Sequence, residues 1–328
     1  MLSLFRTNQL PTAILFLLYA LLLRLPGIFM PELRPDLPED TELWSHSFIL
    51  WLEQSFWWEE IFVIFLLAGQ ATLLSILVIE NRIGREVSLF PGIFYLLIVS
   101  SNPVFIPLSG ILLANTFCIF SLWEMLKTYR VPSCADTIFN VGLWIGVASL
   151  FYFSYCWLIV WAIISLNSML AFKLEDLFFV LLGFLTPYAL LGAWYFWTDQ
   201  WPEFVSANWS ESPGFFDFNF YGILNEYLTI GLMVVLLLMA IASSRQYFIK
   251  QNIQIQKKIS VIYWMLGFLA LGIFFHANAN VHHLLMVTVP LSIFISLNFQ
   301  NIESKWAEST HLIWFALAIL IQFLPLIV

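Results

Sequence analysis

Charge is what this sequence has least of. Lys, Arg, Asp and Glu make up 10% of its 328 residues, against roughly 25% in ordinary soluble domains. A chain so poor in charge cannot cover a water-facing surface with polar groups, which excludes a soluble globular domain. Basic residues are scarcer than acidic ones, 13 against 21, for a net charge of −8. No basic stripe exists to follow a phosphate backbone, which excludes nucleic-acid binding. Cysteine is limited to Cys118, Cys134 and Cys156. None sits in a Cys-x-x-Cys pair, so all three read as packing residues rather than redox or metal groups. There is no glycine-rich phosphate loop and so no sign of ATP use. Internal repeats and low-complexity stretches are also missing. The short alternating segments of a membrane β-barrel are absent as well.

What the sequence does have is long apolar runs, such as "LMVVLLLMAIA" and "LIWFALAILIQFLPLIV". The composition is 61% hydrophobic and mean hydropathy is +0.88. This predicts an all-α polytopic integral membrane protein, residues 1–328 forming a single transmembrane helical domain. Apolar runs predict about eleven spans, at 10–29, 61–79, 89–103, 107–126, 138–153, 156–172, 177–197, 227–244, 260–275, 284–299 and 311–327. The pairs around Pro103/Pro107 and Tyr152–Cys156 could each be a re-entrant hairpin instead, which would lower the count toward nine. The first run, "TAILFLLYALLLRLPG", lacks a small-x-small cleavage site and reads as a retained helix.

Orientation follows from the basic residues. With the N-terminus in the cytoplasm, eleven of the thirteen fall on the cytoplasmic side: Arg6, Arg82, Arg85, Lys127, Arg130, Lys173, Arg245, Lys250, Lys257, Lys258 and Lys305. That is a strong positive-inside bias. The opposite side is acidic. Segment 30–60 holds eight carboxylates against the single Arg34, and segment 199–226 holds five with no Lys or Arg. Neither outer loop is long enough to suggest a separate soluble domain. After its prolines the first loop reads "DTELWSHSFILWLEQSFWWEE", whose apolar residues recur at helical spacing. Its four tryptophans, Trp44, Trp51, Trp57 and Trp58, predict an amphipathic helix lying in the membrane interface.

Three groups of residues could carry chemistry on the outer side. Arg24 ends the first helix; it can anchor at the interface, hold a phosphate or pair with an outer carboxylate. Asp36, Glu39 and Asp40 follow directly in "PDLPED", beside Arg34. They can form a solvated acidic loop, or supply a general base or a ligand for a divalent metal. The stretch "FFHANANVHHLL" gathers His276, Asn278, Asn280, His282 and His283. These can pack a helix end, bind a polar or phosphorylated headgroup, or ligate a metal. Their spacing matches no standard zinc signature, so no metal site is assigned here. No motif calls for a cofactor. Pro187 is expected to kink its helix.

A first helix, a long acidic outer loop with an interfacial helix, and many further helices on short connections resemble the GT-C type of integral-membrane glycosyltransferases. Those enzymes transfer sugars from polyprenyl-phosphate donors. The resemblance implies catalytic roles for Asp36, Glu39 or Asp40, although "PDLPED" stands where an Asp-x-Asp pair is common. It would leave Arg24, Arg34 and the histidine stretch to bind substrate. The segments "ENRIGREVSLFPGIFYLLIVSSN" and "VHHLLMVTVPLSIFIS" resemble a family of multi-pass inner-membrane proteins of unassigned function from Bacteroidota bacteria, which implies an inner-membrane location with the acidic loops in the periplasm. Two other functions fit the pattern. One is a non-enzymatic membrane component of an envelope assembly, surface export or motility complex, with a protein partner on the aromatic loops. The other is a transporter, for which the near absence of charge in mid-helix is unfavourable.

Overall fold

The computed structural model describes residues 12–30, 48–52, 55–131, 134–170, 173–202, 205, 224–248, 251–274 and 280–323. Among them every regular element is helical: α1 Thr12–Phe29, α2 Phe56–Glu80, α3 Phe90–Val99, α4 Gly110–Lys127, α5 Ala135–Phe151, α6 Leu158–Met169, α7 Leu174–Trp197, α8 Leu224–Ala242, the short α9 Ser244–Phe248, α10 Ile253–Phe274, α11 Thr288–Asn301 and α12 Ser304–Gln322. Three 3₁₀ segments, Pro103–Phe105, Phe153–Trp157 and Val281–Val287, break the chain between longer helices.

Five stretches are long and apolar enough to cross a membrane: Trp57–Glu80, Gly110–Lys127, Leu174–Trp197, Ile253–Phe274 and Val281–Asn301. Apolar helices of 17 residues occupy Ala13–Phe29, Ala135–Phe151, Phe153–Met169 and Glu226–Ala242. The chain is thus a helical membrane protein by length and composition. The expected span at 89–103 is cut to the ten residues of α3, which rise only about 15 Å. The helix stops at Val99, and the Asn102 side chain reaches forward to accept the Val104 N–H at 2.8 Å. This starts a 3₁₀ turn with Pro103 at its first position. Ser109 then caps α4 by accepting the Leu112 N–H at 3.2 Å. Both doubtful pairs from the sequence, at 103–107 and 152–156, therefore fall on 3₁₀ turns between distinct helices.

The centre of the bundle is α3 against α11. Every residue of α3 is buried, as are Thr288–Phe299 of α11. Their apolar seam is aromatic: the rings of Phe94 and Phe299 lie 4.3 Å apart. On the far side of α11, Tyr263 stacks on Phe294 at 4.1 Å. Helices α7, α8 and α12 turn apolar faces outward, with Leu182, Leu190, Val235, Leu238, Ile313 and Leu320 exposed. In water such faces would associate; in a bilayer they meet lipid. Residues 48–52 are two-faced, with Ile49 and Leu52 buried and Leu50 and Trp51 exposed. Of the expected interfacial helix, residues 40–47 and 53–54 lie outside the described residues, and residues 56–60, with Trp57 and Trp58, instead begin the long helix α2; most of segment 199–226 also lies outside the described residues.

Helices α5 and α7 approach so closely that only glycine fits at the crossing. A Cβ on Gly142 would lie 2.1 Å from the Val180 carbonyl oxygen, one on Gly146 2.5 Å from that of Phe184, and one on Gly183 2.1 Å from that of Phe139. Gly142 and Gly146 form the small-xxx-small spacing that lets membrane helices touch backbone to backbone. Helix α7 continues through Pro187 rather than ending there. The proline ring is buried beside Gly146, whose Cβ would meet it at 3.1 Å. We predict that Gly183→Leu, which must push the two backbones apart, destabilises the protein by at least the roughly 1–3 kcal/mol of an overpacked core. Thermal melting in detergent measures this, and Gly231→Leu, at a glycine with open space around it, should melt like the parent.

Candidate functional site at the histidine end of the bundle

The C-terminal end of α1, the start of α2, the link 100–109, the 3₁₀ turn at 153–157, the start of α8 and the 3₁₀ turn before α11 meet at one end of the bundle. Side-chain bonds join them. Arg24 is buried, at 2% exposure, and its Nη1 donates to both carboxylate oxygens of Glu60 at 3.3 Å. Its Nη2 donates to the carbonyl oxygen of Ile106. Glu59, also buried, accepts the Leu108 N–H at 3.4 Å. One arginine and two adjacent glutamates thus fasten α1, α2 and the 106–108 backbone together. Of the three roles open to Arg24 in the sequence, the structure displays pairing with a carboxylate. That carboxylate is Glu60, the last of the eight in segment 30–60, which the structure places near the start of α2.

The link continues inward. Asn102 donates to Thr229 of α8, and both residues are buried. Glu226, in the first turn of α8, is buried as well. The turn 103–105 packs against the turn 281–287, which carries the histidines.

Asn280 caps that histidine turn, its Oδ1 accepting the His282 N–H at 3.1 Å. The ring Nδ1 of His283 lies 2.6 Å from Asn280 Oδ1 and 3.0 Å from the Asn280 N–H. The first contact calls for a protonated Nδ1 and the second for an unprotonated one, so Asn280 can hold either tautomer of the ring. Tyr152 sits edge-on to the His283 ring at 5.5 Å. His282 is 5% exposed, and among the described residues its Nε2 has no hydrogen-bond partner. A buried polar atom in that state calls for an explanation, such as a water, an ion or a ligand that meets it.

Beneath this layer lies a second polar tier whose bonds are made. Asn115 Nδ2 donates to the Leu285 carbonyl at 3.2 Å, and its Oδ1 accepts from the Tyr155 hydroxyl at 2.7 Å. Tyr95 donates to Gln70 Oε1 at 2.8 Å, and Gln70 Nε2 donates to the Leu112 carbonyl and to Thr116, each at 2.7 Å. These groups stitch α2, α3, α4 and the histidine turn together.

Of the residues singled out from sequence, the structure brings Asn280, His282 and His283 together and puts Arg24 at the same end. Asp36, Glu39, Asp40, Arg34, His276 and Asn278 lie outside the described residues. Among the described residues no three of His, Cys, Asp or Glu come together in a way that could hold a metal ion. The sequence reading passed over Glu59 and Glu60 as two of many loop carboxylates. Their signal is position: two adjacent acids immediately before an uninterrupted apolar helix will be drawn into the layer that their helix enters. Asn102, Thr229 and Tyr152 gave no such signal.

Removing one partner of a buried ion pair leaves an uncompensated charge, at a cost of about 3–5 kcal/mol. Arg24→Met and Glu60→Met should each lower thermal stability in detergent by that order. The double variant should regain most of the loss, which a double-mutant cycle measures. Additive losses would show that the two side chains do not depend on each other.

No family model, curated protein or solved structure matches the chain.

Proposed function

We propose that the chain is a bacterial inner-membrane protein with about eleven crossings, and that its periplasmic, histidine-bearing end transfers a sugar from a polyprenyl-phosphate donor. The crossing count and orientation are supported by the positive-inside distribution. The placement of the histidine end at a membrane–water boundary is supported by exposed aromatics: Trp51, Trp57, Trp58, Trp194, Trp197 and Trp201 all reach the surface. Such belts sit at the membrane–water boundary. The short α3 fits this reading because non-helical backbone is tolerated at membrane depth when protein surrounds it, and the 100–109 link is buried apart from Val104.

The observation that carries the functional reading is the unpartnered Nε2 of buried His282. It can give one hydrogen bond to, or take one from, a hydroxyl or phosphate oxygen that enters from the lipid side. On this reading Arg24 is a structural cation, Asn280 and His283 position the turn, and the base comes from Asp36, Glu39 or Asp40 in the loop above.

Two measurements separate this from the alternatives. His282→Gln keeps the bulk and polarity of the site and should leave melting temperature unchanged, while native mass spectrometry shows roughly tenfold weaker retention of a polyprenyl phosphate. Asp36→Asn, Glu39→Gln and Asp40→Asn are each assayed for sugar transfer from a polyprenyl-phosphate sugar. Retained activity in all three variants would exclude the acidic-base mechanism. A stoichiometric protein partner with no bound lipid would favour the envelope-assembly reading instead.

A further inference from the structure

The opposite, basic end of the bundle has a shallow depression, open to solvent, between the link 81–89, α9, the start of α10 and the end of α11. Its floor is apolar, from Ile83, Ile259 and Leu297, and its rim is polar, from Arg85, Gln246, Gln251, Gln300 and Asn301. Segments 81–89 and 245–258 hold six basic residues against one acidic residue, the exposed Glu86. Two of these cations are already committed. Lys257 donates to the Ser168 carbonyl at 2.6 Å and Lys258 to Asn81 Oδ1 at 2.7 Å. Arg85 is different: it lines the cleft, its side chain is exposed, and its backbone is held from the other side of the cleft.

That hold is specific. Arg82 takes a left-handed turn, φ 52°, just past the end of α2, the usual way for a helix to stop. Gly84 then passes so close to Gln300 that a Cβ would lie 2.8 Å from its amide. Gln300 accepts the Arg85 N–H at 3.0 Å and donates to Ser88 at 2.8 Å. The guanidinium is therefore presented from a fixed backbone. The N-terminus of α10, whose helix dipole adds positive potential, begins two residues after Gln251 of the rim.

We propose that this cleft binds a phosphate group, with Arg85 as the cation, the Gln246 and Gln251 side chains as neutral donors, and the apolar floor beneath. The group comes either from an anionic phospholipid headgroup of the adjoining leaflet or from free phosphate in solution. The site is separate from the histidine end and does not depend on sugar transfer there.

The test uses the full chain in nanodiscs of phosphatidylcholine alone or mixed with phosphatidylglycerol. The variants are Arg85→Gln and, as a control for surface charge, Arg82→Gln; Arg82 is also exposed but does not line the cleft. If the source is lipid, native mass spectrometry finds phosphatidylglycerol retained on the parent and on Arg82→Gln, with retention falling roughly tenfold in Arg85→Gln. If the source is free phosphate, inorganic phosphate added to the phosphatidylcholine discs raises the melting temperature of the parent and of Arg82→Gln but not of Arg85→Gln. Equal losses in the two variants would reduce the effect to diffuse surface charge and overturn the proposal. So would the absence of any Arg85-dependent binding of either probe.

Discussion

The histidine end depends on the Arg24–Glu60 ion pair. A guanidinium and a carboxylate, both about 2% exposed, cannot stay charged in an apolar setting unless each meets the other. That requirement fixes more than two side chains. Because Arg24 also donates to Ile106, and Glu59 takes the Leu108 amide, the non-helical link between α3 and α4 is anchored to α1 and α2. The link in turn carries Asn102, which reaches α8, and packs against the turn that presents His282 and His283. A polypeptide in lipid has no water to satisfy stray backbone groups. The pair thus supplies charge neutrality and also partners for the backbone where the helices break.

The two ends of the bundle use charge in opposite ways. At the histidine end the cation is sealed inside and paired with acid. At the basic end, cations lie at helix C-termini, where carbonyls lack partners and the dipole is negative. Lys257 caps α6 through the Ser168 carbonyl, while Lys258 holds Asn81, whose own amide donates to Leu77 at the end of α2. The residues that point to orientation in the sequence are therefore partly structural caps. Arg85 stands apart because its backbone, and not its guanidinium, is what Gln300 holds.

Most of the fold was legible because it rests on one strong local signal, long apolar runs broken by Pro, Asn and charged residues. Every expected span overlaps a helix in the structure. The errors are at boundaries, as where α3 stops at Val99 and Asn102 caps the 3₁₀ turn that follows. The α5–α7 crossing was not legible, since glycines 142, 146 and 183 have meaning only once their partners are known. The site was half legible. Histidines and asparagines in an apolar sequence announce themselves. Glu59 and Glu60, by contrast, looked like surface acids because their burial depends on Arg24, 36 residues away.

The arrangement of polar groups by depth argues for where function lies. In the inner tier Tyr95, Gln70, Asn115 and Tyr155 satisfy one another or nearby carbonyls, so that tier cannot accept a ligand without breaking bonds worth about 1 kcal/mol each. The layer above it is built differently. There His282 is buried too, at 5% exposure, yet its Nε2 is not used by the described residues. Leaving a buried acceptor or donor unmet costs about 1–3 kcal/mol. A neighbouring hydroxyl would have removed that cost, as the tyrosines do one tier below. Ser165, Asn298, His311 and Gln322 also carry a buried polar atom without a partner among the described residues, so what sets His282 apart is its place at the end where Arg24, Asn280 and His283 gather.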